Sequence, residues 1–166
     1  MVLAAIAAVA LGACGGPGVV YHTTAHITDT LALRATTVRP GQSIDGALVV
    51  HNPGPTLDLT APGHCAPSFA AGLVGNGIDL QAPGISAACT DHPFLVGHGT
   101  TRLSLTVFTS YSSCTKDVTG VSTDQPLCEP SGAIPSLPPG AYRVVVRWSG
   151  HGSLPAPAPV TVTITG

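Results

Sequence analysis

The chain has 166 residues, of which 44% are hydrophobic and only 8% charged. That balance excludes a disordered chain, which is rich in charge and poor in apolar residues, and six basic against eight acidic residues exclude a nucleic-acid binder built on a basic patch. The length bounds the answer to one domain with a short extension.

Residues 1–13 carry no charge and no strongly polar group. The apolar run is shorter than the roughly 20 residues a bilayer span needs, and it matches the central region of a secretory signal peptide. Leu11-Gly12-Ala13-Cys14 follows. This tetrapeptide resembles the lipobox of bacterial lipoproteins: an aliphatic residue, two small ones that fit a peptidase cleft, and a thiol. The resemblance implies that Cys14 takes a diacylglycerol, that the chain is cut before it, and that two acyl chains anchor the product at the outer face of the cell membrane. Gly15, Gly16, Pro17 and Gly18 then make a tether. Residues 1–13 read as signal peptide, 14–27 as lipidated Cys and tether, and 28–166 as the folded domain. A signal peptide normally opens with positive charge; none is present here, so the true start is expected upstream of Met1. A single Lys against five Arg, with abundant Ala, Gly, Pro and Val, suggests a GC-rich genome. With the lipobox, this composition resembles lipoproteins of the high-GC Gram-positive, actinobacterial type.

Beyond the tether, apolar residues recur with period two, the period of a strand with one buried face. Leu31 and Leu33 alternate with Ala32 and Arg34, and Ile44, Leu48 and Val50 share a face. Leu57 and Leu59 flank Asp58. Leu73-Val74 runs through Asn76-Gly77 into Ile78-Asp79-Leu80, where Asn-Gly supplies the positive φ angles of a type I′ hairpin. Leu103, Leu105 and Val107 alternate with Ser104 and Thr106; Tyr142, Val144, Val146 and Trp148 alternate with Arg143, Val145 and Arg147; Val160, Val162 and Ile164 alternate with threonines. Seven to nine short antiparallel strands with Pro-Gly punctuation predict an all-β sandwich.

Two stretches carry a family likeness. Val38-Arg39-Pro40-Gly41-Gln42 followed by Leu48-Val49-Val50-His51-Asn52 resembles the opening of many bacterial Ig-like domains, and Leu137-Pro138-Pro139-Gly140-Ala141-Tyr142-Arg143-Val144 resembles their penultimate strand. The resemblance implies an Ig-like sandwich over about residues 28–166, with Tyr142 in a tyrosine corner whose hydroxyl bonds back to the chain. The layout also loosely resembles proteinase-inhibitor-like domains. The Cys-Trp-Cys spacing of antibody domains is absent, so their core disulfide does not carry over.

Residues 110–138 break the pattern. Structureless loops of this length are usually functional or disordered. The segment holds Cys114 and Cys128, the only Lys (Lys116) and the only Glu (Glu129). Lys116, Asp117, Asp124 and Glu129 carry the whole formal net charge of −2. They are the candidate contact residues for an envelope protein partner.

The five cysteines are Cys14, Cys65, Cys89, Cys114 and Cys128. Lipidation of Cys14 leaves four, which allow three pairings. The sequential pairing, Cys65–Cys89 and Cys114–Cys128, is the expected one. Sites of chemistry are thin. His64, Asp91 and His92 would converge if Cys65 and Cys89 pair, and they form the weak candidate for a metal or ligand carrier; exposed loop histidines are the simpler expectation. No G-x-S-x-G, H-E-x-x-H or S-x-x-K pattern occurs, so no enzyme activity and no cofactor are expected. Trp148 and Tyr142 fall on one strand face, an arrangement that suits a core better than a sugar platform. The expectation is a lipid-anchored protein with a non-catalytic binding or structural role at the cell envelope. Its alternatives are the His64/Asp91/His92 carrier and an inhibitor-like or adhesion module acting through 110–138.

Overall fold

The computed structural model describes residues 27–61, 64–80, 92–150 and 152–166. The expected signal peptide, Cys14, Cys89 and Asp91 lie outside them. Ten strands are formed among the described residues: β1 (Thr28–Leu33), β2 (Thr37–Val38), β3 (Ser43–Asn52), β4 (Leu57–Asp58), β5 (Ser68–Gly75), β6 (Ile78–Leu80), β7 (Leu95–Val96), β8 (Gly99–Phe108), β9 (Gly140–Ser149) and β10 (Val160–Ile164). One 3-10 turn, Val118–Gly120, is present, and no α-helix occurs among the described residues.

The strands make a three-stranded sheet in the order β1-β3-β8, a five-stranded sheet in the order β2-β10-β9-β5-β6, and a small β4-β7 pair. One apolar cluster draws on both large sheets, the arrangement of a β-sandwich. The first sheet contributes Leu31, Ile44, Leu48, Val50, Leu105 and Val107; the second contributes Leu73, Ile78, Tyr142, Val144, Val162 and Ile164. Register explains the alternation. Leu31 pairs with Leu48 and Leu48 with Leu103 across the first sheet, and Leu73 pairs with Val144 and Val144 with Val160 across the second. Each fully buried Leu or Val contributes roughly 1.5–3 kcal/mol relative to exposure.

Two details depart from the expectation of seven to nine antiparallel strands. There are ten among the described residues, because the two-residue strands β2 and β7 are too short to show a period. One pairing, β2 with β10, is parallel. The hairpin is as read: β5 and β6 are joined by Asn76 (φ 52°) and Gly77 (φ 74°), with Gly75 opposite Ile78. The Tyr142 side chain is buried, and its hydroxyl donates to the Pro138 carbonyl at 2.9 Å. Trp148 is half-buried and packs in an aromatic cluster, its ring centroid 5.1 Å from Phe69 and 5.8 Å from Phe94.

Two inward polar residues stand out. Asn52 ends β3, buried; its Nδ2 donates to the carbonyls of Pro55, Val96 and Gly97, and its Oδ1 accepts from the Gly54 amide. One side chain thereby closes the 52–55 turn and ties it to β7. Asp29 sits on the inner row of β1, opposite Val50. Its Oδ2 is buried without a hydrogen-bond partner, and desolvation raises its carboxyl above the ordinary value, with a bond from its own backbone amide partly opposing.

Candidate functional site

Residues 110–138 hold four of the six large apolar side chains that are exposed among the described residues. The neck is zipped shut. Thr109, buried, donates through Oγ1 to the Gln42 carbonyl at 2.5 Å, and its own carbonyl accepts from the Leu137 amide at 2.9 Å. Ser110 bridges Ser136, and the Tyr111 amide donates to the Pro135 carbonyl at 3.1 Å. Leu137 is buried in the core cluster and Tyr111 packs against it. Burial, then the nearby charges of Tyr142 and Asp124, push the Tyr111 hydroxyl above its ordinary pKa.

The middle is held by covalent and backbone bonds. Cys114 and Cys128 form the expected disulfide, with Cα atoms 4.9 Å apart. Beside it, the Thr115 amide donates to the Pro126 carbonyl and the Cys128 amide to the Thr115 carbonyl, each at 2.9 Å. Cys65 is also disulfide-bonded; Cys89, its expected partner, lies outside the described residues.

Three small turns shape the tips. Asp117 caps the 3-10 turn: its Oδ1 accepts from the Thr119 amide at 2.9 Å and from the Thr119 hydroxyl at 2.8 Å. Those bonds hold the Asp117 carboxyl below its ordinary pKa. Ser122 and Gln125 exchange backbone bonds. The Glu129 amide donates to the Ala133 carbonyl at 3.0 Å, closing a turn in which Gly132 takes φ +84°. Finally, Asp124 Oδ1 accepts from the Asp79 amide at 3.4 Å, which ties one tip to β6 of the five-stranded sheet.

The four charged residues expected to meet a partner, Lys116, Asp117, Asp124 and Glu129, are all exposed. Asp117 and Asp124 also brace the loop itself, so Lys116 and Glu129 are the freer pair. The sequence reading overlooked the apolar side chains between them. Val118 is 73% exposed, and Val121, Leu127 and Ile134 are exposed too. With Leu95 and Phe108 they are the large apolar side chains left in solvent among the described residues, and Phe108 ends β8 just before the loop. Each is an isolated aliphatic residue with no period-two companion to carry it into a sheet, a pattern that does not by itself tell exposure from burial.

The metal candidate gains no geometry. His64 and His92 are exposed, Asp91 lies outside the described residues, and no group of three or more His, Cys, Asp or Glu converges among the described residues. No helix among the described residues is long and apolar enough to cross a membrane. Comparison with known proteins finds no match: no family model, no curated protein and no solved structure.

Proposed function

We propose that this chain is an exported, lipid-anchored binding protein whose Ig-like sandwich presents the 110–138 loop to a protein of the cell envelope. The observation that carries this reading is the loop's construction. Val118, Val121, Leu127 and Ile134 are held in the open by a frame of disulfide, caps and backbone bonds. An unsupported loop would let such side chains collapse onto the core or lose order; a stapled one keeps them ready, which lowers the ordering cost of association. The carboxylates around them favour a partner whose apolar contact area is rimmed by basic groups.

The anchor rests on Leu11-Gly12-Ala13-Cys14. Disulfide-bonded Cys65, Cys114 and Cys128 suit the oxidising environment outside the membrane. The bond from the Tyr142 hydroxyl to the Pro138 carbonyl, four residues upstream, supports the Ig-like reading. The role is non-catalytic.

The test is the native size of the protein extracted in mild detergent from its own membrane. The chain should run in a complex well above its 16.5 kDa. A variant with Val118→Ser, Val121→Ser, Leu127→Ser and Ile134→Ser should melt as the parent does yet run alone, and Cys14→Ser should release the protein from the membrane. A complex of unchanged size in the four-serine variant overturns the contact; unchanged membrane retention of Cys14→Ser overturns the anchor.

A further inference from the structure

The three-stranded sheet ends at β8, which pairs with β3 over ten consecutive positions and with no other strand among the described residues. The strand, Gly99–Phe108, contains no proline. A regular edge of this length, unpaired among the described residues, offers a row of amides and carbonyls, a template for another strand. Short edges, prolines and charges are the usual protection. Here the single charge on β8 is Arg102.

The outer face beside this edge is hollow. Register places Ala32, Ala47 and Ser104 in one row across the sheet, on the face opposite Leu31, Leu48 and Leu103. Ala47 is buried yet stands apart from the core cluster, as expected for the floor of a depression on the outer face. The depression measures about 670 Å³. Arg102 rims it on β8 and Arg34 just past the end of β1, with Asp45 on β3, the strand between β1 and β8. Arg34 is already 3.8 Å from Asp45. Arg102 is exposed and has no carboxylate within ion-pair distance among the described residues. Among the described residues the trough therefore carries one uncompensated positive charge, and that charge sits on β8, the end strand of its sheet.

We propose that the β8 edge is a second binding surface, which accepts an extended acidic peptide strand from a partner. The strand pairs with the backbone of β8 and directs a carboxylate side chain over the trough to Arg102. Backbone pairing supplies affinity, and the side chains that fall on the outer face supply selectivity. Small floor residues leave room for those side chains, and a guanidinium takes a carboxylate in a two-pronged hydrogen bond. This surface is separate from the loop and does not rest on the loop's role.

The probe is a ten-residue, end-capped peptide of alternating Val and Glu, titrated against the whole folded protein by fluorescence anisotropy. A Val/Lys peptide of the same length and a Val/Glu peptide with alternate backbone amides N-methylated serve as controls. The Val/Glu peptide should bind, the N-methylated one should not, and Arg102→Glu should weaken the Val/Glu peptide by roughly tenfold or more while admitting the Val/Lys peptide. Arg102→Ala, which removes the charge without reversing it, should weaken Val/Glu binding and gain nothing for Val/Lys. The four-serine loop variant should bind the Val/Glu peptide as the parent does. Absence of binding, equal binding of the N-methylated peptide, or indifference to both Arg102 variants overturns the proposal.

Discussion

Leu48 and Val118 are both aliphatic, and the molecule treats them oppositely: Leu48 has no exposed surface and Val118 is 73% exposed. The difference follows from what holds each region. Leu48 lies in a strand whose period-two pattern gives it a buried face, so the hydrophobic effect itself fixes its position. Val118 lies in a turn fixed by Asp117 and, a few residues away, by a disulfide. Its position is set by bonds that do not use its side chain. A region can keep apolar groups in water only if something other than their burial maintains its shape, and that independence is what the proposed contact role of the 110–138 loop rests on.

The comparison breaks first at its strongest point. Leu48→Ala leaves a cavity between the sheets and should cost about 2–5 kcal/mol. Urea unfolding should show an earlier midpoint for the whole molecule, with far-UV and tyrosine signals moving together. The double change Cys114→Ser/Cys128→Ser acts on the other region. Opening a loop with a sequence separation of 14 forfeits at most about 3 kcal/mol in the chain-entropy account. Hydrogen exchange should quicken within 111–136 while the amides of β5 and β9 keep their protection. A uniform rise in exchange would mean that the bridge supports the sandwich and not the loop alone. The smallest effect concerns a flaw in the core. Burial raises the Asp29 carboxyl, so the folded state holds its proton to higher pH than the unfolded chain does. The stability that depends on Asp29 is therefore intact in acid and falls as pH rises from the ordinary carboxylate range, near about 4, through the raised value. Asp29→Asn should match the parent in acid and exceed it in stability at neutral pH, read as the difference in urea midpoint at the two pH values. A constant difference would show that desolvation of the charge is not the cause.

The sandwich was legible in the sequence because its physics is periodic. Leu103, Leu105 and Val107, or Tyr142 and Val144, announce a buried face by spacing alone, and Asn76-Gly77 announces its turn by backbone chemistry. The two-residue strands were not legible, since Thr37–Val38 and Leu95–Val96 are shorter than any period. Asn52 was readable as a strand end but not as a knot of four hydrogen bonds, because Val96 and Gly97 are distant in the chain. Within the loop, the Cys114–Cys128 bridge and the charges could be read from composition and spacing. The exposure of Val118 and Ile134 could not, because an isolated aliphatic residue has the same sequence signal whether it tucks in or stands out. The trough escaped for a related reason: Ala32, Ala47 and Ser104 become one row only once register is set.

The most direct measurement places a photo-crosslinking amino acid at position 118 of the full chain, in cells that produce it, with position 161 as the comparison. Thr161 is exposed on β10, three strands across the five-stranded sheet from Asp79 of β6. Illumination should yield one discrete adduct from position 118 and none from position 161, and prior reduction of the Cys114–Cys128 bridge should diminish it. Equal adducts from both positions, or none from 118, would contradict the assignment of the loop as the contact surface.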